Sequence, residues 1–266
     1  MDRPTLTQQQ IRERYNNQAE QYQTRYVGVK GEYYSRFEDR IFLEFLATPL
    51  GRVLDLGTGR GRLPLLLADR AREVFGIDLS DEMIRHAKEA AAEHPHLHFE
   101  RGDASNLHFD DGYFDAVASM GMFPYVKDVF PLFREINRVL APGGVFVFSA
   151  CNAREWLWSY RAYLQVHRFR RWLRGAPEPA TPAPESPLIP HDLRFLAQEL
   201  ERAGFHLEAY RTTFWFLPSR AFYLAGRHRV RTLQHAAATA NDALGRFPWI
   251  KDHGKVLIVC ARKRRG

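Results

Sequence analysis

The run Val53-Leu-Asp-Leu-Gly-Thr-Gly-Arg-Gly61 sets an acid, Asp55, two residues ahead of three alternating glycines, Gly57, Gly59 and Gly61. A glycine has no Cβ, so it lets the backbone turn tightly and approach a bound molecule closely. The apolar residues before these glycines read as a strand, and Arg62–Arg72 after them as a helix. The turn is therefore placed to cradle a ligand at a strand end. Two common nucleotide-binding patterns are excluded by spacing. A dinucleotide fingerprint needs its third glycine at the sixth position, which here is Arg62. A phosphate-cradling loop needs a terminal Gly-Lys-Ser/Thr, which is absent. Asp78 closes the next strand, 21 residues after Gly57. A carboxylate there can accept both hydroxyls of a ribose. Each such hydrogen bond to a charged group is worth about 1.5–3 kcal/mol.

With Asp55, Gly57, Thr58, Gly59 and Gly61 in this order, the stretch resembles motif I of class I S-adenosylmethionine (SAM) dependent methyltransferases. The resemblance continues in register. Met83, shortly after Leu79, stands where the family often packs a side chain on adenine. Gly102-Asp103-Ala104 resembles the motif whose acid accepts the adenine amino group. Phe114–Ser119 resembles motif IV, and Arg138–Gly144 the turn before the fifth strand. Upstream, RYNNQAEQY resembles the segment that covers the cofactor, with Tyr15, Asn17, Ala19 and Tyr22. A tyrosine ring near a sulfonium adds a cation–π attraction of about 0.5–2 kcal/mol. The same tyrosines also fit plain packing of a helix on the core. The resemblance covers roughly residues 11–150. It implies SAM as cofactor, S-adenosylhomocysteine (SAH) as product, and methyl transfer as the activity. It implies cofactor contacts from Tyr15, Tyr22, Asp55, Gly57, Thr58, Gly59, Gly61, Asp78, Leu79, Met83, Asp103, Ala104 and Ser119.

The acceptor is less legible. Base-amino methyltransferases carry Asn/Asp-Pro-Pro-Tyr/Phe directly after strand four, and this chain reads Ser119-Met-Gly-Met-Phe-Pro-Tyr125. No Pro-Cys nucleophile of the cytosine-C5 type is present there either. A nucleic-acid acceptor is therefore disfavoured, and RNA methylation is kept as an alternative, beside a non-catalytic SAM- or SAH-binding module. Met120, Phe123 and Tyr125 just after strand four, with Trp156 and Tyr160 further on, are expected to wall the acceptor pocket. Residues 153–174 are aromatic and basic, with Arg154, Arg161 and Arg168 on one helical face. That pattern suits a small, hydrophobic or amphiphilic acceptor, lipid-like or anionic, and peripheral contact with a membrane surface. It equally suits an amphipathic lid packed on its own domain. His191, at the start of a helix after a proline-rich stretch, is the first candidate for a general base, ahead of His167 and His253. No Cys/His pattern has metal-ligand spacing.

Apolar runs and helical stretches alternate through the first 150 residues. Strands are expected at Arg52–Leu56, Glu73–Leu79, Leu97–Gly102, Tyr113–Ala118 and Val145–Ala150. Helices are expected over 8–46, 62–72, after Ser80 and at Val129–Leu140. This is the pattern of βαβ units around a parallel sheet, with ligands at the strand C-terminal edge. The expected fold is α/β, Rossmann-like and doubly wound, a seven-stranded mostly parallel sheet with a helical insertion after strand five. Residues 1–48 are read as a helical cap segment and 49–150 as the cofactor-binding core. Residues 151–190 are read as an aromatic, basic insertion ending in a Pro-rich loop. Residues 191–266 return to the core with a second helical insertion at about 219–245, then a last strand, Val256–Ala261, and the tail RKRRG.

Composition sets the outer limits. Of 266 residues, 45% are hydrophobic and 13% aromatic, enough for a full core. The net charge of +7 and pI of about 9.5 permit anionic partners without requiring them. No stretch approaches the roughly 18 apolar residues of a membrane span, and the polar N-terminus lacks a signal core. The expectation is a cytoplasmic protein. Cys151 and Cys260 sit beside apolar strand-like runs and are expected to be buried free thiols.

Overall fold

The computed structural model describes residues 6–26, 29–47, 49–154, 188–213 and 251–265, with the backbone alone at 21–26, 29–34 and 251. The element order is α1 (Gln8–Tyr26), α2 (Val29–Phe45), β1 (Leu50–Leu56), α3 (Arg62–Leu67), β2 (Ala71–Asp78), α4 (Asp81–Ala90), β3 (Leu97–Arg101), β4 (Phe114–Ser119) and α5 (Val129–Val139). Then come β5 (Leu140–Asn152), the two-residue β6 (Pro190–His191), α6 (Leu193–Arg202), β7 (Phe205–Thr213) and β8 (Val256–Lys263). The strand order is β3-β2-β1-β4-β5-β8-β7. β1 to β5 are mutually parallel, and β8 runs antiparallel between β5 and β7. The expected Rossmann-like sheet is therefore present. It gains an eighth, short strand, because Pro190 and His191 pair with Cys151 and Asn152 at the end of β5.

Period-two side-chain alternation divides the core between the two faces of the sheet. Leu54, Leu56, Phe146 and Phe148 point to one face, where Phe133 and Ile136 of α5 and Leu196 and Leu200 of α6 cover them. Val53 and Val147 point to the other, under Phe42 of α2, Leu63 and Leu67 of α3 and Ile84 of α4. Each fully buried large apolar side chain contributes about 1.5–3 kcal/mol, so this two-faced burial is what holds the strand ends in register.

Several boundaries differ from the sequence reading for local reasons. The helical stretch over 8–46 is two helices. α3 stops at Leu67 because Ala71 and Arg72 are taken by β2, where Ala71 registers with Leu50. β5 begins at Leu140, opposite Phe114, and absorbs the Pro-Gly-Gly turn as an irregularity in its pairing with β4. Residues 102–113, between β3 and β4, form a loop that Arg138 of α5 ties down. Its guanidinium donates to the carbonyls of Leu107 (2.8 Å) and Phe109 (2.7 Å) while pairing with Glu135 and Asp111.

The C-terminal tail also differs. Arg262 and Lys263 belong to β8. Arg262 pairs with Glu208 at 2.9 Å, Arg264 pairs with Glu201 at 2.8 Å, and Lys263 Nζ donates to the carbonyls of Asn137 and Leu140. The tail is thus bound to the domain by ion pairs. Cys260 is buried, and its thiol is pushed up to about 12 by burial, while Cys151 is only half-buried. Most of 153–174, the Pro-rich loop up to 187, and 219–245 lie outside the described residues.

Candidate functional site

A cavity of about 270 Å³ opens at the C-terminal ends of β1 to β4, beneath α1. The glycine turn forms its floor. Gly57 and Thr58 both donate their N–H to the Ile77 carbonyl, at 2.8 and 3.0 Å, which folds the turn across the end of β2. Gly57 has φ +69°, and a Cβ there would sit 2.8 Å from the Cβ of Met122. Gly59 has φ +55°, and a Cβ there would meet nothing within 4 Å, because that direction is the open cavity.

Asp78 is held from both sides. Its Oδ2 accepts from Gly59 N and its Oδ1 from Ser80 N, each at 2.9 Å. Burial raises its pKa, opposed by the N–H groups of Ser80, Gly59 and Leu79. Ser80 caps α4, accepting from Met83 N at 3.1 Å, and so sets Met83 in the cavity wall. At the end of β3, Asp103 Oδ1 accepts from Ser105 N and Oγ at 2.9 and 2.8 Å.

The roof is α1. Gln8, Ile11 and Tyr15, spaced three and four apart, line the cavity. The neighbouring face is tied to the sheet edge. Arg12 pairs with Asp81, and Ser80 Oγ donates to Asn16 Oδ1 at 2.6 Å. Arg60 donates from the glycine turn to the Ala19 carbonyl at 3.0 Å. The far wall is Met120, Gly121, Met122 and Tyr125, on the short 3-10 turn Phe123–Tyr125 after β4.

Of the residues expected to touch a cofactor, Tyr15, Gly57, Gly59, Asp78, Leu79, Met83, Asp103 and Ala104 line this cavity. Others do not. Asp55 is buried beneath the turn. Its Oδ1 has no hydrogen-bond partner, and burial lifts its carboxyl to about 7. Thr58 is buried beside it. Gly61 has φ +78° and packs toward Phe99 at the N-cap of α3, so its need for glycine is conformational. Ser119 is buried and donates to the Leu56 carbonyl at 2.9 Å, joining β4 to β1. The Tyr22 side chain, like Trp156 and Tyr160, lies outside the described residues.

Two acceptor-side expectations are corrected. Phe123 turns inward and packs on Phe148 at 4.3 Å, fully buried. His191 is 3% exposed, lies outside the cavity lining, and its Nε2 meets the Phe123 carbonyl at 3.1 Å. Its pKa is lowered by burial, so it stays neutral. Its position tethers the turn that carries Tyr125. Met120 and Tyr125 do line the cavity. The lining residues Gln8, Ile11, Met122 and Asp128 were missed by sequence reasoning. The Gln8–Ile11–Tyr15 spacing was the available signal, while Met122 and Asp128 had none.

The residues present suit SAM. Two buried or hydrogen-bonded carboxylates stand on adjacent strand ends, and the glycine turn leaves open space where any side chain would intrude. A methyltransferase domain model matches residues 54–148. The chain is 33% identical to the demethylmenaquinone methyltransferase of Deinococcus radiodurans over 179 residues, 64% of this chain and 74% of that protein. It is 30% identical to the malonyl-(acyl-carrier protein) O-methyltransferase of Geobacter sulfurreducens over 178 residues, 62% of this chain and 66% of that protein. It spans 42% and 45% of two other curated relatives. The solved structure of a SAM-dependent methyltransferase from Mesorhizobium loti superposes with a TM-score of 0.55 at 25% identity, covering 89% of this chain and 100% of that one. Fold, site geometry and these likenesses agree: the chain belongs to the class I SAM-dependent methyltransferase family, with SAM as its cofactor.

Proposed function

We propose that this protein transfers the methyl group of SAM to a small, neutral, apolar or amphiphilic acceptor. One observation carries the reading. A single cavity joins the acids Asp78 and Asp103 to an apolar wall of Met120, Met122 and Tyr125 under Ile11 and Tyr15. Bound SAM supplies the methyl group and its own leaving group. What remains for the chain is alignment, which can contribute about 7–11 kcal/mol. Asp78 orients the ribose, the glycine turn admits the cofactor's close approach, and Tyr15 with Tyr125 encloses the acceptor end and excludes water.

The charges on the described lining are all acids: Asp78, Asp103 and Asp128. That suits a cationic sulfonium and a neutral acceptor. It disfavours the anionic acceptor suggested by the basic stretch after β5, of which Arg154 is committed to Asp192 and Asp252. With His191 buried elsewhere, no described histidine, lysine or cysteine lines the cavity to act as base. The described lining groups that could take a proton are the carboxylates Asp103 and Asp128 and the phenols of Tyr15 and Tyr125. On the same reading, residues 1–48 form the cap and 49–150 hold the cofactor. No helix among the described residues is long and apolar enough to cross a membrane.

The deciding measurement is transfer of labelled methyl from SAM into fractionated cell extract. Label in the organic-soluble fraction supports the proposal. Label in RNA or protein overturns the acceptor class, and SAM binding with no transfer in any fraction favours a non-catalytic binding module.

A further inference from the structure

The chain has four methionines, and three of them, Met83, Met120 and Met122, line the cofactor cavity. They are not equally placed. Met83 is 1% exposed, whereas Met120 and Met122 are half-buried on the far wall. Met122 lies across the glycine turn. The point at which a Cβ would stand on Gly57 is 2.8 Å from the Met122 Cβ, 3.2 Å from its Cγ and 3.5 Å from its Sδ. The thioether therefore covers the face that Gly57 leaves bare. The backbone on either side is pinned. Gly121 N donates to Ser149 Oγ at 3.0 Å, and Tyr125 N donates to the Met122 carbonyl at 3.0 Å. Met122 cannot back away from the turn without breaking these bonds.

A half-buried thioether facing an open cavity is a target for peroxide. Unlike a thiol it needs no deprotonation, so its reactivity follows access. That separates it from Cys260, whose thiol is buried and pushed up to about 12, and which therefore holds almost no thiolate. The sulfur lone pair attacks one oxygen of hydrogen peroxide, the O–O bond breaks and an S–O bond forms. The hydroxide released takes the proton from the new S–OH and leaves as water. Sulfur is oxidised by two electrons and the peroxide is reduced. The product is a polar sulfoxide, larger by one oxygen. On Met122 that oxygen enters the wall beside Gly57, where the cofactor must approach the backbone closely. A packed wall tolerates an added heavy atom poorly.

We propose that Met122 is an oxidation site that governs cofactor binding: its sulfoxide closes the glycine turn to SAM and SAH, and reduction of the sulfoxide reopens it. The proposal rests on the SAM-site reading above.

The test is calorimetric binding of SAH to the full chain before and after treatment with hydrogen peroxide. The peroxide is removed before titration, so that SAH itself is not oxidised. Peptide mass spectrometry locates the sulfoxides, and circular dichroism checks that the fold is retained. The expected result is a sulfoxide at Met122 and SAH binding at least about ten-fold weaker. Methionine sulfoxide reductases for both epimers should restore binding, and their thiol reductant alone should not, which separates the effect from oxidation of Cys151. Met122→Leu, compared only with itself, should keep its SAH affinity through the treatment, while Met120→Leu should still lose it. A chain oxidised at Met122 that bound SAH equally well or more tightly would overturn the proposal. So would the absence of a sulfoxide at Met122, or an equal loss of binding in treated M122L. If the untreated wild-type chain bound no SAH, the SAM-site reading itself would fall, and this proposal with it.

Discussion

Tyr15 of α1 and Tyr125 of the turn after β4 meet edge to face, with ring centroids 5.7 Å apart and planes at 84°. One ring belongs to the roof and the other to the wall, and both line the cavity. The pair therefore joins the element that covers the cofactor to the element that faces the acceptor.

An aromatic pair of this geometry contributes about 0.5–1.5 kcal/mol beyond area burial. Tyr15→Ala and Tyr125→Ala should each lower kcat/KM, and the double variant should lose less than the sum of the two by about that amount. A double-mutant cycle on methyl transfer measures it. Strict additivity would mean that the contact has no role in closing the site.

Asp78→Ala removes the proposed ribose acceptor. Two hydrogen bonds to a carboxylate at about 1.5–3 kcal/mol each predict at least a hundred-fold loss of SAM affinity. Circular dichroism should show the fold retained, because the space left by the carboxylate, which lines the cavity, admits water to the Gly59 and Ser80 N–H groups that now donate to it. Unchanged affinity by calorimetry would remove Asp78 from the site.

Asp55 is buried and Glu38 half-buried, and both are lifted to about 7 chiefly by loss of solvent. The folded state therefore holds their protons more tightly than the unfolded chain does. Between about pH 4 and 7 the unfolded chain ionises first, so stability falls as pH rises through this window and levels off above it. Asp55→Asn should remove part of that slope, of the order of a few kcal/mol in total, leaving the Glu38 share. Urea titrations at pH 5 and pH 8 read it directly. An identical slope in the variant would refute the assignment.

His191 should be structural. Its neutral ring is held at the Phe123 carbonyl, so its contribution runs opposite to that of Asp55, with stability lost as pH falls through the unfolded value near 6.5. His191→Gln should lower stability by about 1–3 kcal/mol and leave the pH profile of kcat in place. A profile that loses its acidic limb, the fall in rate at low pH, in H191Q would restore His191 as a base.

Much of this protein was written in its local sequence. The glycine turn, the acid that ends β2 and the Ser80 cap are fixed by neighbours within a few residues, because positive φ, strand ends and helix starts are local requirements. The period-two and helical spacings likewise sufficed for the parallel sheet and its covering helices. Side-chain direction was a different matter. Asp55 and Asp78 look alike along the chain, yet one lies under the turn and the other in the cavity. Phe123 and Tyr125 sit two apart on one 3-10 turn, and only packing against Phe148 decides which turns inward. His191 was placed by pairing with β5, and Gln8 by a contact with Asp103, 95 residues away. Such contacts depend on which strand ends lie side by side, a consequence of the crossovers that no local spacing records.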